Sequence, residues 1–437
     1  MPIVSVSGVR GVWGESLDEQ FVMKMGRSFF HALDGDRIGI ARDTRKSGTA
    51  ISSVFMDTLL GEGARVHDMD VAPTPVVFRE AFKGSLDGGI IITASHNPPE
   101  WNGVKLVGRG GRGLDPRVIL ESSSTPASNI LRRGRVVDWR ANRHYVSDIL
   151  QKLGHSSCSD IKVCLDLAGG AACFVAPQMF TELGAKVLRI NDTPGIFERS
   201  LDPTSDELVL LSSLLRRDRC NVGFAYDCDA DRVVVIDSRG ARLSPDATLA
   251  ICIEEMVSRE GALDVAVSVD TTQAVEKIVD STGRKVRYCP VGEANVVETM
   301  VQNRCRVGGE GSSGGFILSN WAWCRDGLLA SALIAKYVAR VGSLTGILEK
   351  LSEYHQVRGK IPSDPKVAEK VVQQLRMRSR TGEIIDGVKV WPTRDSWVLV
   401  RRSGTEGVLR VSAEAKTRAS AQGLFDEYVE LIKRLMA

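Results

Sequence analysis

Short β-branched apolar runs alternate with stretches of helical period through the first three quarters of the sequence, and that alternation limits the fold most. Residues 37–41 (RIGIA) and 88–93 (GGIIIT) read as buried strands, since they are β-branched and end at polar loops. Between them, residues 49–60 read as a helix closed by Gly61 and Gly63. A second unit opens at Ile161 with the strand IKVCLDL, then a Gly pair, a helix through Leu183, a stop at Gly184 and the strand AKVLRI. A third begins near Asp246: a helix through Met256, the strand LDVAVSV, a helix over 273–280, the strand KVRYC and a helix over 294–302. Strand–helix–strand order of this kind predicts three α/β units, each around a mostly parallel sheet.

After the stretch KIPSDPK (360–366) the pattern becomes a helix, the three short strands GVKVW, WVLVR and GVLRVSAEA, and a final helix. Leu424, Tyr428, Leu431, Ile432 and Leu435 mark one face of that helix. The expectation is a smaller α+β domain at the C-terminal end. Expected boundaries are 1–138, 139–240, 241–354 and 355–437. The 437 residues, 43% of them apolar and 25% charged, suffice for several cores. Lys and Arg exceed Asp and Glu by only three (57 against 54), and they are spread along the chain. A dedicated nucleic-acid or membrane-surface binder would show a concentrated basic footprint instead, so neither partner is expected. No apolar run approaches the roughly 18 residues of a membrane span, and MPIVSVSGVRG has no signal pattern. Nine cysteines without a CxxC pair read as reduced thiols of a cytoplasmic enzyme.

Four segments can carry chemistry. Thr93-Ala94-Ser95-His96-Asn97-Pro98 follows a buried strand directly, which presents a hydroxyl at the sheet's C-terminal edge, where α/β proteins place their ligands. Ser95 beside His96 can be a nucleophile beside a proton acceptor, or a simple strand-to-turn transition. Asp227-Cys228-Asp229-Ala230-Asp231-Arg232 places three carboxylates at alternate positions, and hard oxygen ligands at this spacing suit Mg²⁺ or Ca²⁺. An EF-hand fails here, because the sixth loop position is Arg232 rather than Gly and the twelfth is Ser238 rather than Glu. Gly308-Gly309-Glu310-Gly311-Ser312-Ser313-Gly314-Gly315 allows close backbone approach to a ligand, with Glu310 and the serines offering hydrogen bonds to hydroxyls; it reads equally as a loose hairpin. Arg401-Arg402-Ser403-Gly404-Thr405-Glu406-Gly407, with Arg410 beyond it, describes either a phosphate cradle or a basic hairpin paired with surface carboxylates.

In this order and at these distances the four segments resemble the α-D-phosphohexomutase family, which includes phosphoglucomutase, phosphomannomutase and phosphoglucosamine mutase. The resemblance spans nearly the whole chain. Ser7-Gly8-Val9-Arg10-Gly11 is similar to the family's SGxRG, Asp43-Thr44-Arg45 to its DTR, and Pro73-Thr74-Pro75, TASHNP and Asn102-Gly103-Val104-Lys105 follow as in the family. DCDADR resembles the metal loop DGDGDR with all three carboxylates kept, Val291-Gly292 the VG loop, and RRSGTEG the phosphate loop RPSGTEP. GEGSSGG departs from the GEMSGH or GEQSGH of many bacterial members, having no terminal His and one extra small residue. It is closer to the GGEGNGG of archaeal-type members, many regarded as phosphoglucosamine mutases.

The resemblance implies three similar α/β domains, carrying the phosphoserine, metal and sugar loops in turn, and a C-terminal domain with the phosphate loop, all around a central cleft. It implies a hexose 6-phosphate to hexose 1-phosphate mutase working through phospho-Ser95 and a hexose 1,6-bisphosphate, which also serves as activator. Mg²⁺ would sit on Asp227, Asp229, Asp231 and the Ser95 phosphate. Arg10, Lys105 and Arg232 would stabilise the transferring group, and Lys105 or His96 would manage the hydroxyl proton. Glu310 and Ser312 would read ring hydroxyls, while Arg401, Ser403, Gly404, Thr405 and Arg410 hold the other phosphate. The expected partners are small sugar phosphates, with the protein a monomer or homodimer. Glucosamine is the expected sugar and glucose or mannose the alternative. A metal-dependent sugar phosphatase and a non-catalytic sugar-phosphate sensor are the rival readings.

Overall fold

The computed structural model describes residues 1–121, 134–378, 385–403 and 407–436. These fall into two compact units, Met1–Glu255 with Ser313–Leu344, and Met256–Ser312 with Thr345–Ala437. The third expected domain, 241–354, therefore contributes to both.

The first unit opens on an eight-stranded sheet whose centre is parallel: Gly88–Ile92, Arg37–Arg42, Arg65–Val71 and Arg135–Asp138 lie in that order. The antiparallel strand Trp101–Gly108 joins Gly88–Ile92 to the N-terminal hairpin Ile3–Ser5/Gly8–Val12. All five residues of Gly88–Ile92 are buried, as the unbroken apolar run requires of a central strand. The helix between Arg37–Arg42 and Arg65–Val71 covers Gly48–Gly61, within a residue of expectation. Close approach makes Gly103 necessary: a Cβ there would lie 2.1 Å from the Val9 carbonyl and 2.8 Å from that of Thr93.

A second sheet carries Lys186–Ile190, Lys162–Asp166 and Val222–Tyr226 in parallel and Val233–Asp237 antiparallel at its end. Against this hairpin packs the helix Gly327–Val341, of which eleven residues are buried; the Tyr226 and Ser331 hydroxyls hydrogen-bond at 2.6 Å. A helix apolar on nearly every face has to be enclosed, and GLLASALIAKYV is such a sequence.

In the second unit, Val265–Ser268 lies parallel to both Val286–Cys289 and Val307–Glu310. Gly308 serves packing rather than ligand approach, since a Cβ there would meet Met300 Sδ at 2.3 Å. The C-terminal sheet is wholly antiparallel and has four strands, not the three expected. The additional strand, His355–Pro362, includes Lys360-Ile361-Pro362, read above as a boundary stretch. It pairs along its whole length with Val408–Ala415 and forms the edge of the sheet, where a terminal proline and half-exposed side chains are tolerated.

Candidate active site

The buried strand Gly88–Ile92 empties into Thr93-Ala94-Ser95, and Ser95 adopts a left-handed backbone with φ +51°. A non-glycine residue holds that conformation only where its surroundings over-determine it. Arg45 does so here. Its five side-chain N–H groups all find acceptors: the Asp43 carboxylate at 3.0 Å and the carbonyls of Ser95, Asn97, Pro98 and Trp101. Asp43 also accepts from the Thr93 hydroxyl at 2.6 Å, which in turn accepts from the Ser95 N–H at 2.8 Å. Asp43 and Arg45 are fully buried, so the DTR segment is the clamp that shapes the serine loop. Sequence reasoning noted this segment without assigning it that role.

Ser95 Oγ donates to Asp227 Oδ2 at 2.7 Å. The turn between Val222–Tyr226 and Val233–Asp237 brings Asp227, Asp229 and Asp231 together, with one oxygen from each within 4.8 Å of the others, all buried. Ala230, where the family loop has glycine, takes φ +56° to make that turn. Lys105, on the strand antiparallel to Gly88–Ile92, reaches across to Asp229 at 2.7 Å and Asp231 at 2.8 Å. Thr74 Oγ1 donates to Asp229 at 2.5 Å, and Arg325 Nη2 stands 3.0 Å from Asp231. Sequence reasoning missed Arg325. It precedes the N-cap Asp326 of the enclosed helix, and only that helix's packing brings it to the acidic turn.

The electrostatics follow from burial and spacing. Burial pushes the Asp227 carboxyl well above its usual range, and Asp229 and Asp231 push it the same way. Burial acts on Asp231 too, but Arg325, Lys105 and Arg232 outweigh it and hold that carboxylate well below the usual range. Asp229 is lowered as well, Lys105 and Thr74 overcoming burial and the Asp231 charge. Burial would lower the Lys105 ammonium, yet the two aspartates raise it further than burial depresses it. That direction disfavours Lys105, expected above as one of two groups to manage the hydroxyl proton, as a proton acceptor. Burial lowers His96 to about 4, Arg232 adding to the effect, so its ring is neutral at pH 7 with Nδ1 3.4 Å from Ser95 Oγ. Burial also lowers Arg10, against the pull of Asp229 and Asp231, and its Nη1 donates to the Val9 carbonyl at 2.8 Å. Arg232 Nε lies 3.8 Å from Asp231 Oδ1.

Asp229 Oδ1 and Asp231 Oδ1 are buried and have no hydrogen-bond partner. Two such oxygens cost free energy unless a cation takes them, and with Asp227 they make a hard oxygen donor set. The residues present therefore fit a divalent cation.

In the second unit, Glu310 is buried at the end of its strand, and the next N–H, that of Gly311, donates to Thr271 Oγ1 at 3.1 Å. Ser312 follows, partly buried. Arg401 and Arg410 are direct cross-strand partners, two like charges on one face of the sheet. Arg402 points to the opposite face and pairs with Glu369 on the helix Pro365–Arg378. The Ser403 N–H closes the hairpin on the Val408 carbonyl at 3.0 Å. Gly404 and Thr405 lie outside the described residues. Direct opposition of two arginines is unfavourable unless anionic groups compensate them, as at a phosphate site.

Four domain models described as phosphoglucomutase/phosphomannomutase match the chain: α/β/α domain I over residues 2–123, II over 143–240, III over 244–354 and the C-terminal domain over 358–431. A probable phosphoglucosamine mutase of Pyrococcus abyssi is 31% identical over 98% of this chain and 97% of its own length. A phosphoglucomutase/phosphomannomutase of Thermococcus kodakarensis is 30% identical over 98% and 97%. Among solved structures, a phosphoglucomutase/phosphomannomutase family protein from Burkholderia thailandensis is similar with a TM-score of 0.85 at 25% identity, covering 99% of this chain and 98% of that one.

Proposed function

The chain belongs to the phosphoglucomutase/phosphomannomutase family, and on that premise we propose that it interconverts glucosamine 6-phosphate and glucosamine 1-phosphate through a phosphorylated Ser95. The observation that carries this reading is the contact of Ser95 Oγ with Asp227, in a buried acidic trio that keeps two carboxylate oxygens without a hydrogen bond.

In the proposed reaction a hydroxyl oxygen of the bound monophosphate attacks the phosphorus on Ser95. The new O–P bond forms as the Oγ–P bond breaks, giving a hexose 1,6-bisphosphate. After the bisphosphate turns end for end, Ser95 Oγ takes the other phosphoryl group and the product leaves. Neutral His96, 3.4 Å from Oγ, is the proposed proton acceptor; Lys105 is assigned with Arg10, Arg232 and Arg325 to the moving phosphoryl charge. Positioning and charge neutralisation are the main demands of phosphoryl transfer. Asp227, Asp229, Asp231 and the Ser95 phosphate would hold Mg²⁺, which supplies Lewis-acid neutralisation when bound. Glu310 and Ser312 are assigned to ring hydroxyls. Arg401, Ser403, Gly404, Thr405 and Arg410 are assigned to the phosphate not being transferred. All nine cysteines are free thiols and eight are buried, which suits a reducing cytoplasm.

The sugar loop GGEGSSGG and the Pyrococcus abyssi relative favour glucosamine. The Thermococcus kodakarensis relative favours the second reading, a glucose or mannose phosphate as substrate. Incubation with each hexose 6-phosphate, Mg²⁺ and a catalytic amount of glucose 1,6-bisphosphate, followed by ³¹P NMR, separates the cases. Isomerisation fastest with glucosamine 6-phosphate supports the proposal, and faster turnover of glucose or mannose phosphate supports the second reading. Release of inorganic phosphate points to a phosphatase, and no reaction to a sensor.

A further inference from the structure

Two residues before the strand Val388–Thr393 stands a carboxylate that neither the motifs nor the mechanism above has used. Asp386 Oδ2 accepts the Val291 N–H at 3.1 Å and lies 3.6 Å from Arg401 Nη1. Val291 precedes Gly292, whose φ of +131° opens the helix Glu293–Asn303. Asp386 thus joins the phosphate-loop arginine to a loop that lies 95 residues before Asp386 in the chain.

Its place is set by the neighbouring glycine. Gly387 has φ +84°, and a Cβ there would lie 2.2 Å from the Val400 carbonyl and 2.7 Å from Arg401 Cβ. Only glycine lets this segment lie directly on Arg401. Beside the pair, Ile385, Val291 and Trp391 pack on Val269, Trp397 and Leu399, an apolar floor that lowers the local dielectric and strengthens the attraction. Arg401 Nη1 also donates to the Arg402 carbonyl at 3.4 Å, so this end of the guanidinium is held by two acceptors.

We propose that Asp386 is a positioning residue: it fixes the guanidinium of Arg401 for phosphate binding and keeps it in register with the Val291-Gly292 loop. The inference rests on the reading of Arg401 as a phosphate ligand. Its test is calorimetric titration with glucose 1,6-bisphosphate alongside steady-state kinetics, on wild type, Asp386→Ala, Asp386→Asn, Arg401→Ala and the Asp386→Ala/Arg401→Ala pair. Asp386→Ala should weaken bisphosphate binding and raise KM by about tenfold, with kcat within about threefold, as expected when a ligand's support is lost and the ligand itself remains. Asp386→Asn keeps an acceptor for the Val291 N–H and should fall between; in the Arg401→Ala background the Asp386→Ala effect should vanish. Unchanged or tighter binding by Asp386→Ala overturns the proposal, as does a full effect without Arg401. A wild type that binds bisphosphate but isomerises no hexose phosphate would remove the mutase reading, and the binding cycle would still decide the role of Asp386.

Discussion

Arg45 lies outside the reacting groups, yet its loss should be among the most damaging single changes in the first unit. Arg45→Ala removes five charge-assisted hydrogen bonds at once, four of them to the carbonyls that draw the loop from Ser95 to Trp101 together. Asp43 would keep the Thr93 hydroxyl and the backbone N–H of residue 45, but as a buried carboxylate without its counter-charge. Breaking a buried pair from one side costs about 3–5 kcal/mol, a large part of the roughly 5–15 kcal/mol that separates a folded domain from its unfolded chain. Ser95 would also lose what holds it in the left-handed region, and a misplacement of about 1 Å lowers turnover on the order of 10²-fold. Arg45→Lys restores the charge with three donors in place of five, so it should recover part of the stability and less of the activity. The double variant Asp43→Ala/Arg45→Ala should cost clearly less than the sum of the single changes. Urea unfolding and turnover measured on the same preparations provide the check. Stability of Arg45→Ala within about 1 kcal/mol of wild type would refute the clamp, because surface-like substitutions fall in that range.

Three further outcomes follow from the site. Ser95→Ala should abolish isomerisation and the phosphoprotein signal in mass spectrometry while the fold persists; turnover at the wild-type rate would reassign the phosphoryl carrier. Chelation should abolish activity and Mg²⁺ restore it, and Asp231→Asn should weaken Mg²⁺ binding at least tenfold on the scale of a lost ligand, read by titration calorimetry without substrate. The pH prediction concerns His96, whose folded pKa of about 4 lies below the unfolded value near 6.5. Between these values the unfolded chain binds more protons, so stability is full above about pH 6.5 and falls as the pH drops toward 4. His96→Asn should flatten that part of the urea-midpoint profile, and an unchanged profile would rule His96 out as its source.

The strand and helix framework was legible because it depends on local patterns. GGIII has to be a central strand, and QAVEKIVD, with Thr272 as its cap, forms the helix found at Gln273–Asp280. The edge strand His355–Pro362 was not legible, because none of its residues is buried and it ends in proline, so no apolar run marks it. The same division holds at the site. Ser95 and the three aspartates each stand in a short motif whose chemistry shows in the spacing. Beyond its local pairing with Asp43, Arg45 acts on carbonyls fifty and more residues later, Arg325 on a carboxylate 94 residues earlier and Asp386 on an N–H 95 residues earlier, and no window of neighbouring residues contains both partners of these contacts.

Arg325 shows why such residues come into view only with the packing. Its charge adjoins the acidic turn because Gly327, two positions later, can lie directly on that turn: its N–H donates to the Ala230 carbonyl at 3.2 Å, and a Cβ would meet the carbonyls of Arg232 and Ala230 at 2.8 and 2.9 Å. Asp326 between them caps the helix through the Leu329 N–H and accepts from Tyr145 and Trp321, which fixes the direction in which the chain enters. The three residues Arg325-Asp326-Gly327 thus divide the work into a counter-charge for Asp231, an anchor for the helix and a close backbone contact with the acidic turn. Each is unremarkable in composition. Together they make the position of an enclosed helix a condition for the charge balance of the acidic trio, so a substitution at Gly327 should disturb metal binding although its backbone touches only the carbonyl side of the loop.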